Sequence, residues 1–454
     1  MRLRFQLIFV ALPLVIAACS GGGVTPPAAE RTAHGAAGTT GTAFTYSVHP
    51  PLRRVGDLLL HNCPGTSGTC LTPASVDNAY DYSYFPGKFD GTGQTIVIVD
   101  AFGSPTIASD LATFDGKTIA NLPAPPSFTI VYPGGKPTVN LSNATQLGWA
   151  EETTLDVEWA HAAAPGAKIV LVISNNDQGS TIQNVQQYAV THYPNSILSL
   201  SFGVQEASIN SGANNTQLAQ AHGIYQQAAA NGITVIASAG DLGSSGGFPF
   251  ANPQYPASDP YVLSVGGTSL SLTGNGKYGA ETAWNDGAAC TQPCGATGGA
   301  PSTIYDETLL PNQAALLGAS PSSPRQVADV AFAASDSAVL VYIGFTAPGI
   351  TPGTYATGGT SIGPPLIAGI IAVANQQRAK LKSPKGGVGW ITNAIYGPYA
   401  SAQRSTKPPF HDITSGNNVF AGGITCCTAG ASYDNPTGLG TPDVNNLVAL
   451  LTNL

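Results

Sequence analysis

The sequence predicts an α/β fold with a mostly parallel central sheet flanked by helices. Solid-apolar runs are the first sign: Thr95–Asp100 (TIVIVD), Lys168–Ile173 (KIVLVI), Ser196–Phe202 (SILSLSF), Ile233–Ser238 (ITVIAS) and Tyr261–Val265 (YVLSV). A run that is apolar at nearly every position, rather than at every second one, marks a strand buried on both faces. The second sign is that helical stretches fall between several of these runs. Ala150–Ala164 precedes the second strand and ends at Pro165-Gly166; Asn215–Ala230 precedes the fourth and ends at Asn231-Gly232. Strands alternating with helices favour right-handed crossovers in one parallel sheet. The third sign is a helix made apolar nearly all round by Leu366, Ile367, Ile370, Ile371 and Val373, with Pro364 and Pro365 in its first turn. In such a fold, sites lie beyond the carboxyl ends of the strands.

Composition narrows the function. Charged residues make up 9% of the 454, against about 25% in an average soluble domain. The balance of 25 acidic and 17 basic residues gives a net charge of −8, with no basic cluster beyond the leader, so nucleic acid is excluded as a partner. So few ionisable groups also limit self-repulsion when carboxylates protonate, which suits an acidic setting.

Residues 1–18 have a basic start and a short apolar run, the pattern of an export signal rather than a spanning helix. Ile16-Ala17-Ala18-Cys19 resembles a bacterial lipobox, so the expectation is cleavage before Cys19, lipidation of its thiol and attachment to a membrane. Ser20 follows rather than Asp, which by Gram-negative sorting points to the outer membrane; an ordinary secretory signal is the alternative. Residues 19–75 read as a tether and a short N-terminal region. The six remaining cysteines suit disulfides in an exported chain. Cys63/Cys70 and Cys290/Cys294 are natural local pairs, whereas Cys426 and Cys427 either bridge each other or pair elsewhere. No histidine with finger-like spacing supports zinc.

From Gly91 the strands and helices follow in the order given. Residues 270–350 are loop-rich, with Arg325–Phe332 as one possible element, and the chain closes with a helix over VNNLVALLTNL. No internal repeat is present.

Ser361 is the candidate nucleophile. Gly358-Gly359-Thr360 delivers it to the start of the buried helix, where unpaired N–H groups and the helix dipole favour a developing oxyanion. Taken alone, the string reads first as a glycine-rich turn with Ser361 as the N-cap of a core helix. The chain carries its own control: Gly266-Gly267-Thr268-Ser269 repeats the motif at the end of a strand-like run with no helix behind it. A serine nucleophile needs a base and an oxyanion donor. Glu152 and Asp156 are one helical turn apart and so share a face, where like charges raise a pKa and favour a shared proton. Glu151 and Glu158 read as solvated carboxylates. Asp241 directly follows a buried strand in a Gly/Ser loop, as a turn former or as an acid aimed into the cleft. A protonated aspartic acid there donates to an oxyanion, as in the known case of ketosteroid isomerase.

Five stretches together resemble the sedolisin, or serine-carboxyl peptidase, family: ETTLDVEWAHAAAPGAKI, SLSFG, ASAGDLG, GGTSIGPPLIAGIIAVANQ and HDITSG…AGASYDNPTGLGTP. They run from about Gly91 to Pro442 in the family's order. The resemblance implies a subtilisin-like fold over residues 76–454 and an acid-acting endopeptidase that hydrolyses proteins or peptides as a monomer. It makes Ser361 the nucleophile, Glu152 the general base, Asp156 its partner and Asp241 the oxyanion acid, with Ser201 and Gly203 along the substrate backbone. Phe202 stands where the family usually has Trp. The resemblance also implies one structural calcium in a C-terminal loop region, at Asp412, Ile413, Gly430, Ser432 and Asp434, with Ser432 in place of the usual glycine. The family carries a long pro-segment, yet only about 70 residues separate Cys19 from Gly91, so a short one or none is expected. Two rival readings stand beside this one. One is a subtilisin-like Asp–His–Ser site using Asp100 with His161, His192 or His222, none of which has the HGT context. The other is a non-catalytic surface lipoprotein on the same fold.

Overall fold

Among the described residues, eight strands form the central sheet of the computed structural model, in the spatial order β7-β6-β5-β4-β1-β3-β2, with β8 added to β6. They are β1 (Thr95–Ala101), β2 (Phe128–Val131), β3 (Lys168–Ser174), β4 (Ile197–Leu200), β5 (Thr234–Ser238), β6 (Val262–Leu272), β7 (Tyr278–Ala283) and β8 (Val330–Ala333). Every pairing is parallel except that of β7 with β6. The structure describes residues 44–48, 52–54, 70–82, 89–209, 214–287, 294–335, 339–420 and 426–454, all within the unit Gly41–Leu454. Cys19, the export signal and the expected partners Cys63 and Cys290 lie outside the described residues. Among the described residues no helix is long and apolar enough to cross a membrane.

The solid-apolar runs become the middle strands because both faces of the sheet are covered. Along β1, Ile96 and Ile98 join one buried cluster while Val97, Val99 and Ala101 join the other. Helices α2 (Gly179–His192) and α3 (Asn214–Ala230) cover the second face. Helices α1 (Ala144–Ala163) and α4 (Gly363–Ala379), with the terminal α5 (Val444–Asn453), cover the first. Helix α1 meets α4 at Gly369, where any Cβ would overlap that of Ala163. Outside α1 lies a second sheet, in which β10 (Gly353–Thr357) pairs antiparallel with β9 (Val339–Ile343) and with the short strand Leu52–Arg54.

Two expectations need correction here. Helix α1 starts six residues early, because the Asn143 side chain accepts from Gln146 N at 3.1 Å, a cap that contributes about 1 kcal/mol. Strand β6 does not stop at Gly266: it runs on to Leu272, pairing first with β5, then with β8 and finally with β7. The possible element at 325–332 divides into the short strand Pro324–Gln326 and β8, joined through a buried Arg325–Asp329 ion pair at 2.7 Å.

Candidate active site

Ser361 sits in a single 3-10 turn, Thr360–Ile362, between β10 and α4. Glycine precedes the turn for two reasons. Gly359 has φ 97°, and a Cβ there would come within 2.5 Å of Asp241 Oδ2. No side chain caps α4, so the N-cap reading of Ser361 fails. Instead its buried hydroxyl points at the end of β4, with Oγ 3.4 Å from the carbonyl of Ser201. Ser201 in turn donates through Oγ to Asp156 Oδ1 at 2.7 Å.

Glu152 and Asp156 face inward from α1, and both are fully buried. From Trp149 to Ala163 every residue of α1 except Glu151 is buried, because the helix is enclosed by the central sheet, α4 and β9. Burial pushes the Glu152 carboxyl well up. The charges of Asp156, Asp100 and Asp241 add to this, while the nearby Ser361 hydroxyl opposes it. Asp156 is raised by burial and then by Asp100. Asp100, at the end of β1, is itself raised by burial to about 7. Three buried carboxyls therefore crowd one pocket, where their mutual repulsion favours sharing a proton over full ionisation.

Asp241 follows β5 and reaches across to the nucleophile's turn. Its Oδ1 accepts from Thr360 N at 2.8 Å and from Thr360 Oγ1 at 2.7 Å. Thr360 Oγ1 also accepts from Gly240 N at 3.0 Å, which locks the two loops together. Oδ1 of Asp241 is thus held twice by the turn that carries Ser361. The sequence reading missed Thr360, although it lies inside the GGTS string. Its clamping role becomes visible only once Asp241 is placed beside it.

The three histidines of the rival reading are committed elsewhere. His161 Nε2 lies 2.9 Å from Pro123 O and 3.3 Å from Asp115; His222 Nδ1 pairs with Asp259 at 2.8 Å; His192 stacks on Tyr188. Asp100, the aspartate of that reading, instead belongs to the acid pocket. Glu158 is not solvated as expected: it is fully buried, with Oε2 accepting from Tyr342 N at 3.0 Å, because β9 covers that side of α1. Glu151 is half-buried, and burial raises its carboxyl to about 8.

The expected calcium positions come together in two neighbouring loops. Asp412 Oδ2 accepts from Ser432 N, and Asp434 Oδ2 accepts from Gly430 N, each at 3.0 Å. Burial lifts Asp434 to about 6, and the Asp412 charge adds to the rise. Ser432 has φ 72°, the backbone conformation that glycine adopts most readily. Among the described residues no group of three or more His, Cys, Asp or Glu could hold a metal. Two mutually repelling carboxylates in neighbouring loops nonetheless fit a hard cation. Cys426 and Cys427 bridge each other, and Cys70 and Cys294 are also in disulfides.

Comparison with known proteins gives the family. A model of the subtilase family matches residues 142–397. Kumamolisin from Bacillus sp. (strain MN-32) is 34% identical over 396 residues, covering 84% of this chain and 64% of its own. Sedolisin from Pseudomonas sp. (strain 101) is 29% identical over 391 residues, with coverages of 84% and 61%. The chain thus spans less than two thirds of either relative's length. The solved structure of Pseudomonas sedolisin, a serine-carboxyl proteinase complexed with two molecules of pseudo-iodotyrostatin, superposes with a TM-score of 0.69. It is 26% identical, and the match covers 85% of this chain and 99% of that one. The chain belongs to the subtilase family and, within it, to the sedolisins.

Proposed function

We propose that the protein is an exported serine-carboxyl endopeptidase that hydrolyses protein or peptide substrates in acid. The observation that carries this reading is the convergence on one turn of a buried hydroxyl, a buried carboxyl pair and a clamped aspartate. Ser361 Oγ attacks the peptide carbonyl while Glu152 takes its proton. Glu152 accepts that proton in its ionised form and then returns it to the leaving amine. Asp156, held by Ser201, shares that proton, with Asp100 behind it. Asp241 donates to the oxyanion, in the role that a backbone N–H plays in other serine peptidases. It donates only while protonated, so activity falls as pH rises through its titration. Ser201 and Gly203 line the substrate backbone.

The rest of the proposal concerns setting. Residues 1–18 direct export, Cys19 carries a lipid that holds the chain to the outer membrane, and residues 76–454 act as a monomeric catalytic domain. Asp412 and Asp434, with the carbonyls of Ile413, Gly430 and Ser432, hold one calcium ion. When bound, the ion neutralises the two carboxylates and ties their loops together.

Ser361→Ala and Glu152→Gln are each expected to abolish casein cleavage at pH 4. Substantial cleavage by either variant rejects the assigned roles.

A further inference from the structure

Gln254 stands between two segments that serve Ser361. A Cβ on Gly203 or on Gly240 would overlap its side-chain amide, so both glycines leave room for it. Gly203 follows the Ser201 edge beside the nucleophile, and Gly240 precedes Asp241. The main chain is tied in as well. Val204 and Gln205 pair antiparallel with Tyr255 and Gln254, and Glu206 N donates to Pro253 O at 3.1 Å. Gln254 also opens a tight turn: its carbonyl accepts from Ser258 N, and Asp259 N donates to Pro256 O, each at 3.0 Å.

Asp259 fastens that turn to α3. Its carboxylate is fully buried, with Oδ1 accepting from Tyr261 N at 2.9 Å and Oδ2 lying 2.8 Å from His222 Nδ1. The His222 side chain is 28% exposed and its ring packs on Tyr305 at 5.5 Å and Tyr261 at 5.3 Å. Helix α3 buries Ala221, Ile224, Tyr225 and Ala228 in the cluster that holds Val235 and Ala237 of β5, the strand leading to Asp241. The other titratable groups around the pair are tyrosines. Tyr261 and Tyr305 face the imidazole, while Tyr46, Tyr225, Tyr255 and Tyr305 face the carboxylate. Glu206 acts on Tyr305 but is itself held by Ser302 and Thr303. The hydrogen bond to Asp259 raises the affinity of His222 for a proton; burial opposes this, and the Asp259 charge adds to the rise. In acid the pair is therefore an imidazolium on a carboxylate.

We propose that His222 and Asp259 are positioning residues for the reaction: their ion pair pins the turn that seats Gln254 between the Gly203 edge and the Gly240–Asp241 loop. Neither residue touches the reacting atoms; both act through Gln254. The inference rests on the peptidase reading and gives the substrate edge and the oxyanion acid a common support that is fully charged only in acid. Misplacement of such groups by about 1 Å costs up to roughly 10²-fold in rate.

The test compares the full chain with His222→Gln, Gln254→Ala and the double variant on a peptide substrate at pH 4. His222→Gln keeps a donor beside Asp259 at a partly exposed position and removes the charge, which guards against a folding defect. It is expected to lower kcat/KM about tenfold, and Gln254→Ala to lower it at least as much. The double variant is expected to be no slower than Gln254→Ala, because one residue acts through the other. Denaturant midpoints give a readout independent of activity. A histidine whose proton affinity is raised by folding stabilises fully below its unfolded value of 6.5, and that contribution is lost as pH climbs through the folded value. The intact chain should therefore exceed His222→Gln in midpoint at pH 5 and match it at pH 9. Unchanged kcat/KM in His222→Gln, multiplied losses in the double variant, or a midpoint gap that is the same at both pH values overturns the inference. An intact chain that cleaves no peptide while the gap still closes with pH overturns the peptidase reading, and the positioning role falls with it although the ion pair stands.

Discussion

Gly266-Gly267-Thr268-Ser269 and Gly358-Gly359-Thr360-Ser361 are the same tetrapeptide in two conformations. The first stays within β6: Gly267 pairs in parallel with Phe332, and Thr268 Oγ1 donates to Glu281 at 2.7 Å. The second leaves β10 through a positive-φ glycine and turns into a buried helix. Both threonines donate to a carboxylate, but Glu281 is enclosed by Tyr80, Thr268 and Thr441, whereas Asp241 binds the turn that carries the Ser361 hydroxyl. Identical residues therefore carry no chemistry of their own. The element on their C-terminal side, strand or buried helix, and the acid lying opposite set the difference.

The largest expected effect separates the two serines. Ser361→Ala should lower kcat for a saturating peptide by about 10⁴-fold or more, whereas Ser269→Ala should stay within about twofold; equal effects would break the comparison. The next concerns pH. The Asp100 carboxyl is raised to about 7 in the folded state, so its contribution to stability is complete below the unfolded value near 4 and is lost as pH rises through 7. A shift of about three units corresponds to roughly 4 kcal/mol. Denaturant titrations at pH 4 and pH 8 should show the protein more stable in acid, with a smaller difference in Asp100→Asn; a slope of the opposite sign would contradict the buried-acid pocket.

Asp241→Ala should cost about 10²-fold in kcat, as loss of an oxyanion donor does elsewhere, with folding intact by circular dichroism. The glycines sharpen the comparison at the smallest scale. Gly267→Ala should cost about 1–3 kcal/mol of stability, because its Cβ would meet that of Ala334 at 2.6 Å. Gly359→Ala pushes on Asp241 Oδ2 and should lower kcat as well. Thermal melts beside kinetics separate the two outcomes.

The parallel sheet was legible because its strands are buried on both faces and so written as unbroken apolar runs, as in β1, β3 and β5. The end of β6 was not legible. Two consecutive glycines suggest a break, and only β8, distant in sequence, supplies the partner that carries the strand onward. Glu152 and Asp156 could be paired from their spacing, since helical periodicity is local. The burial of Glu158 could not, because β9, which covers it, lies some 180 residues away. Asp100 could be read only as a strand-end aspartate, because its place beside the α1 acids depends on how α1 crosses the sheet. Strand Phe44–Val48 gave no periodic signal. It is too short to show one, and its partners at Asp177–Gly179 and Gly203 are tertiary.

Covalent capture tests the central claim most directly. The intact protein and its Glu152→Gln variant are treated at pH 4 with a fluorophosphonate and mapped by mass spectrometry. An adduct on Ser361 that is lost in Glu152→Gln is the predicted result. Labelling of Ser269, or equal labelling of Ser361 without Glu152, would contradict a hydroxyl activated by the buried acids of α1.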